Sequence, residues 1–506
     1  MRHLLATLHS LPLLIITVPL RFIRAFRALR VPISTCQAGG CVDCHLGHKF
    51  VTIKVVPSWS CPLRLKALNM LRTLICCVVA LASSTLLADD WPQWMGPDRD
   101  GVWRETGIVE SFPAAGLKVK WRVPVSLGYS GPAVVGDRVF LTDYVRESGD
   151  IANSPRERAQ LSGHERVLCL NATDGKQIWE HRDQVTYKIS YPSGPRVTPT
   201  VSGGKVYTLG AEGRLVCLDA AKGTLVWAKE LKTEYKTEAP LWGFCGAPLV
   251  DGQKLICLVG GAGSVAVAFD KDTGRELWKA LSAKEPGYCP PSIIEAAGQR
   301  QLIIWSSESL NSLNPATGSV YWTQPLKPDY GMSITTPRKH GDLLFASGIG
   351  GVSATFKLNQ SKPGAEVVWR GTNKTSVYAA NTTPLIDDDG IIYGADCMSG
   401  QFRAVKLETG ERLWDSFAPT TNTRRGSHGT AFIVRNGNRY FLFSETGDLI
   451  LAKLSAKSYD EISRFHVVDP TGECFGREVV WSHPAFANKC CFARNDKELV
   501  CVSLAK

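Results

Sequence analysis

Residues 117–506 are predicted to form one all-β domain, an eight-bladed β-propeller of four-stranded antiparallel blades. Three observations carry the prediction. A strand–turn–strand unit ending in tryptophan recurs every roughly 43–58 residues, a period of propellers and solenoids. A short apolar strand opened by a small residue or proline precedes each copy. The last unit lacks its outer strand, and a matching strand stands at the head of the array.

The tryptophan unit reads RVLCLNATDGKQIW, RLVCLDAAKGTLVW, SVAVAFDKDTGRELW, SLNSLNPATGSVYW, SATFKLNQSKPGAEVVW and FRAVKLETGERLW. The copies end at Trp179, Trp227, Trp278, Trp322, Trp369 and Trp414, and a degenerate copy reaches Ser463 without the tryptophan. Alternating side chains give each strand one buried face. An Asp-Gly, Lys-Gly or Thr-Gly pair in most copies supplies the positive-φ position of a turn. The indole is large enough to fill the gap between neighbouring sheets.

The second marker falls at Gly131-Pro132, Thr198-Pro199, Ala247-Pro248, Pro290-Pro291, Thr336-Pro337, Thr383-Pro384, Thr430-Ala431 and His483-Pro484, which makes eight units. Proline is tolerated at the first residue of a strand because it need not donate to the ladder. The missing outer strand is LKVKWRVPV around Trp121. Pairing of this N-terminal strand with the C-terminal strand Glu498–Ala505 closes the ring and removes both sheet edges.

Composition is that of an ordinary globular protein, 44% hydrophobic and 21% charged, which excludes wholesale disorder, collagen and a polytopic membrane protein. The net charge of +11 is concentrated in the leader: residues 1–72 hold ten basic residues and one acid, whereas residues 89–506 hold 48 basic and 46 acidic. A basic body suited to nucleic acid is absent, so no nucleic-acid partner is expected. Residues 70–88 have the layout of a signal peptide: Arg72, an apolar core from Leu74 to Leu81, and a cut after Ala88. The mature chain is therefore expected to be periplasmic or otherwise exported, monomeric and without a stable membrane span. Residues 1–69 read as an upstream extension, with translation starting at or near Met70. The extension holds an apolar run, Leu4 to Phe22, long enough to cross a membrane. Its Cys41-Val42-Asp43-Cys44-His45 fits the haem-attachment pattern, but no haem domain surrounds it.

Ten of the 16 cysteines follow residue 88. Cys169, Cys217, Cys257 and Cys501 sit in apolar strand-like runs and read as small buried hydrophobes. A vicinal disulfide at Cys490-Cys491 is not favoured, and no His/Cys spacing resembles a zinc site.

The repeat resembles the tryptophan-docking motif A-x-D-x-x-T-G-x-x-x-W of the pyrroloquinoline quinone (PQQ) repeat propellers. Ala268, Asp270, Thr273, Gly274 and Trp278 match it, and DDWPQWMGPDRDGVW looks like the lead-in segment of bacterial members, here residues 89–116. The resemblance implies that Trp121, Trp179, Trp227, Trp278, Trp322, Trp369 and Trp414 are structural and stitch blades together. It implies two classes of function: quinoprotein dehydrogenases that hold PQQ and calcium on the axis, and non-catalytic propellers similar to the outer-membrane assembly lipoprotein.

In a propeller, function is expected in the loops that lead into the innermost strands, because they converge on one mouth. The candidates there are Tyr129, Tyr191, Arg196, Trp242, Tyr288, Tyr330, Tyr378, Asn381, Arg424, Arg425, His428 and His483. The arginines make the mouth locally basic. Oxidation at PQQ needs a metal held by carboxylate and amide oxygens and a carboxylate base. The strand starts carry no acid, and Glu238, Glu285 and Asp329 nearby read as solvated loop charges. Adjacent cysteines lie near the quinone in some family dehydrogenases, but Cys490-Cys491 falls beyond the mouth. The expected function is a non-catalytic binding or scaffolding protein with a protein or glycan partner and no cofactor or metal. The alternatives are a PQQ- and calcium-dependent alcohol or sugar dehydrogenase and a carbohydrate-binding propeller. The segment from Tyr144 to Val167 reads as an exposed, mobile charged loop.

Overall fold

The computed structural model describes residues 89–372 and 382–506 and, upstream, the backbone of the strands Leu14–Pro19, Val42–Leu46 and Phe50–Val55. The chain divides into two units, Met1–Leu87 and Ala88–Lys506. In the first, Phe50–Val55 pairs antiparallel with the two other strands. The apolar run at Leu4 to Phe22 thus contains a strand, and no helix among the described residues is long and apolar enough to cross a membrane. The signal segment 70–88 and Cys41 lie outside the described residues.

The second unit is a ring of eight four-stranded antiparallel sheets. Seven blades use consecutive strands, as in Thr200–Ser202, Lys205–Leu209, Arg214–Asp219 and Leu225–Glu230. The eighth combines Ala485–Ala487, Cys490–Arg494 and Glu498–Ser503 with Val119–Pro124 as its outer strand. Cys501 faces Trp121 across that pair, and Arg122 donates to Glu498 at 2.8 Å. The ring therefore closes as the split unit predicts.

Every blade has a bulge between its third and outer strands. The tryptophan stands opposite the residue just before the register shift: Cys169–Trp179, Cys217–Trp227, Ala268–Trp278, Ser312–Trp322, Thr355–Trp369, Ala404–Trp414 and Cys501–Trp121. A bulge bends the strand and re-aims a side chain, here toward the next blade. The indole N–H of Trp121, Trp179, Trp227, Trp278, Trp369 and Trp414 donates to a carbonyl of that blade at 2.8–3.3 Å. Five of these indoles lie flat on a turn glycine of the neighbour. At Gly223, whose φ is +71°, a Cβ would stand 2.5 Å from Trp179. Trp322 differs: its N–H donates to Gln301 within its own blade, at 3.0 Å. The facing turn explains this, because its Gly364 has no contact with Trp322. In the seventh blade Ser463 replaces the indole and accepts from the Phe112 N–H at 3.0 Å.

The charged segment of the first blade is ordered sheet rather than loop. Strands Arg138–Ser148 and Ala159–Asn171 run on as a long hairpin, leaving only residues 149–158 as its tip. Buried Leu161 and Tyr144, stacked on Tyr187 at 4.2 Å, anchor one face, so the charges occupy the other. The tip is also fastened: Arg158 donates to the carbonyls of Lys188 at 2.7 Å and Ala239 at 3.0 Å, and Ser190 to that of Ser154. Cys490 and Cys491 are free thiols on the strand Cys490–Arg494.

The lead-in segment crosses the ring. Trp91 exchanges two backbone hydrogen bonds with Val134 of the first blade. Further on, the buried Arg99 guanidinium donates to the carbonyls of Ala247, Pro248 and Pro291 in the third and fourth blades. Arg338 of the fifth blade grips the Arg99 carbonyl at 2.9 Å, and the Trp103 N–H reaches Arg435 of the seventh at 2.7 Å. With the Val201 N–H of the second blade donating to the Pro92 carbonyl at 2.8 Å and the Lys489 N–H of the eighth to Glu105 at 2.9 Å, one strap braces seven blades.

Candidate ligand-binding mouth

Among the described residues, loops from an outer strand to the next inner strand converge on a cavity of about 420 Å³. Eight of the sequence candidates line it: Tyr129, Tyr191, Arg196, Trp242, Tyr288, Tyr330, His428 and His483. Arg424 and Arg425 do not. Both are exposed on the rim, where Arg425 approaches the Met398 carbonyl at 3.4 Å. Tyr378 and Asn381 lie outside the described residues.

The lining is a chain of ring contacts. Trp481 meets Tyr191 at 5.7 Å, Tyr129 at 6.4 Å and His428 at 6.4 Å, and Trp242 meets Tyr288 edge-on at 5.8 Å. His428 lies parallel to Phe475, with centroids 5.3 Å apart. At the floor, Trp94 of the lead-in segment stands edge-on to His483 at 4.3 Å. Sequence reasoning missed Trp94, Phe475 and Met398. Trp94 reaches the mouth only because the strap crosses the axis, which no repeat pattern encodes. Phe475 sits at the tip of a small inserted hairpin, Gly472–Cys474 with Arg477–Val479.

Charged groups around the cavity are unequal. Arg196 lies over the Tyr129 ring at 5.1 Å and donates to the carbonyls of Ser190, Gly194 and Tyr191, so it holds its own loop in shape. Arg156, on the tip of the long hairpin, also lines the space. No Asp or Glu does; Glu238, Glu285 and Asp329 stay outside, and residues 373–381 contain no acid. Burial pulls His483 down to about 3, and its Nε2 shares a 2.7 Å hydrogen bond with the Thr198 hydroxyl. Burial, then the Arg477 charge, pulls His428 down to about 4. Burial pushes the Tyr129 phenol up to about 12. None of these is poised to exchange a proton near neutral pH.

Four lining residues other than glycine have left-handed backbones: Tyr191 at φ 50°, Tyr330 at 57°, His428 at 59° and Phe475 at 47°. Each costs about 1 kcal/mol, and such strain clusters where surrounding structure dictates a side chain's aim. Three rim residues project into solvent: Tyr330 is 68% exposed, Met398 56% and Phe475 52%.

Calcium takes six to eight oxygen ligands, with carboxylates prominent. The mouth offers indoles, phenols, imidazoles and guanidinium groups instead, and among the described residues no three His, Cys, Asp or Glu side chains gather to hold an ion. The described lining does not fit a calcium-bound quinone.

A family model described as outer membrane protein assembly factor BamB matches residues 163–416. The chain belongs to this PQQ-repeat family. Solved structures share the BamB-family ring at low identity. Quinohemoprotein alcohol dehydrogenase from Comamonas testosteroni is 15% identical, with a TM-score of 0.54 over 82% of this chain and 81% of that one. The ADHIIG enzyme of Pseudomonas putida HK5 is 13% identical, with a TM-score of 0.52 over 82% and 80%. BamB from Moraxella catarrhalis is 16% identical, with a TM-score of 0.47 over 75% and 96%. The two dehydrogenase likenesses establish the fold alone. No curated protein matches the sequence.

Proposed function

We propose that this BamB-family propeller is an exported, non-catalytic scaffold that holds a protein partner at the mouth of its ring. The observation that carries the reading is the apolar cup itself: linked aromatic rings, three exposed apolar rim residues and, among the described residues, no acid or base ready for proton transfer. Monomeric proteins keep few such patches, and those they keep mark binding sites. The family's description as an assembly factor favours a protein as the occupant. Export rests on the leader 70–88.

Photo-crosslinking in living cells tests it. Benzoyl-phenylalanine replaces Tyr330 on the rim or, as a control, Val320 on an outer strand, both of which are solvent-exposed. A discrete protein adduct from position 330 and none from 320 is the expected result. The reading fails if position 330 gives no adduct, or if the protein binds PQQ with calcium and reduces a dye with alcohols or aldoses.

A further inference from the structure

The geometry points to a specific occupant: an extended, acidic segment of the partner protein that seats one aromatic side chain in the cup. This inference rests on the binding reading above and adds the chemistry of what is bound.

The shape comes first. Trp94 and His483 close the floor, and the strap behind them is fixed by Arg99. A chain cannot pass through the ring, so a segment must lie across the mouth and send a side chain down. The inner surface is aromatic, which suits an aromatic side chain through edge and stacking contacts. Tyr330, Met398 and Phe475 extend the apolar surface beyond the cavity, so the contact area exceeds what fills the cup. Methionine adapts to varied partners, and a buried aromatic anchor inside a larger contact ring is how protein interfaces concentrate affinity.

Charge sets the flanks. Arg156 and Arg196 line the cavity, and Arg424 and Arg425 stand on the rim. Among the described residues none of the four pairs with a carboxylate. Several arginines elsewhere are paired with a carboxylate: Arg166 with Asp143 at 2.6 Å, Arg464 with Asp448 at 2.9 Å and Arg477 with Glu445 at 2.7 Å. With no acid among the described residues that line the cavity, Arg156 and the two rim arginines complement carboxylates on the occupant, which arginine grips in a bidentate fork, while Arg196, committed to its own loop, adds only its charge.

Fluorescence anisotropy with the full chain and three labelled peptides tests this. One has a central tryptophan flanked by Asp and Glu, one has serine in place of that tryptophan, and one has the tryptophan flanked by lysines. The first is expected to bind at least tenfold tighter than either other, and to weaken as salt screens the charges. Replacing both rim arginines (Arg424→Gln with Arg425→Gln) is expected to lower its affinity severalfold without changing the melting temperature. Tyr330→Ser is expected to weaken both tryptophan peptides. Equal binding of the acidic and lysine-flanked peptides would overturn the charge assignment and leave the apolar cup standing. No binding of either tryptophan peptide, while position 330 still crosslinks a protein in cells, would overturn the inference but not the scaffold. Loss of both signals would remove the two together.

Discussion

The joint between blades makes a quantitative prediction at Gly318 and Trp278. Gly318 has φ +75°, and a Cβ placed there would lie 2.6 Å from Trp278 Cε3 and 2.9 Å from Cδ2. Gly318→Ala therefore incurs about 1 kcal/mol for a left-handed alanine and a further ~1–3 kcal/mol for pushing the indole off its seat. Trp278→Ala alone empties a site only 8% exposed and should cost ~3–5 kcal/mol. In that background the steric part vanishes, so Gly318→Ala should add only the backbone cost. The coupling between the two sites is then ~1–3 kcal/mol. Gly298 is the control, with φ +66° and nothing within 4 Å of its added Cβ; its alanine variant should cost about 1 kcal/mol in both backgrounds. Urea unfolding of the four-membered cycle, followed by tryptophan fluorescence, gives the numbers. If Gly318→Ala costs the same with and without the indole, the glycine does not seat the tryptophan and the account of the joint is wrong.

Three further outcomes follow from the fold. His483 and His428, ordinarily near 6.5, stay neutral to about pH 3 and 4 when folded, so the unfolded chain binds more protons below 6.5. Stability should be full above pH 7 and fall as the pH drops toward 4, and His483→Gln should flatten part of that slope in urea midpoints measured at each pH. Burial pushes Glu165 and Glu445 upward, which acts in the opposite sense, so the difference between wild type and variant isolates the histidine. Arg99→Met leaves three carbonyls short of a donor and should cost roughly 3 kcal/mol, with trypsin cutting first near residues 99–104; unchanged melting and protection would refute the strap. Deleting Glu498–Lys506 opens the ring and should replace one sharp calorimetric transition with broad, overlapping ones.

The ring was legible because its instructions repeat. Eight strand starts, the tryptophan units and the split last blade agree with one another, and consistency across levels is what makes a fold readable. The mouth was partly legible for a related reason: its loops sit at fixed offsets from those starts, which placed Tyr129, Trp242, Tyr288 and Tyr330 on the cavity. What escaped is non-periodic. Trp94 arrives from a strap outside the array, Phe475 from an inserted hairpin, and the long hairpin of the first blade looked like loop because charges crowd its outer face. Trp322 carries the docking motif yet turns to Gln301, since a docking indole needs a partner turn as well as its own sequence.

The strand Val119–Pro124 is made early and placed last. Its partner Glu498–Ser503 emerges some 376 residues later. At ordinary synthesis rates that is a wait on the order of half a minute, longer than most elementary folding steps. During it, Trp121 can already dock on Ala172 and Gly175 of the first blade, but the hydrogen-bonding edge of the strand has no partner. The molecule therefore needs its first segment kept out of trouble until its last is delivered, and a chain interrupted anywhere before residue 498 has nothing to fasten to. A late stop in the message is then nearly as damaging as an early one.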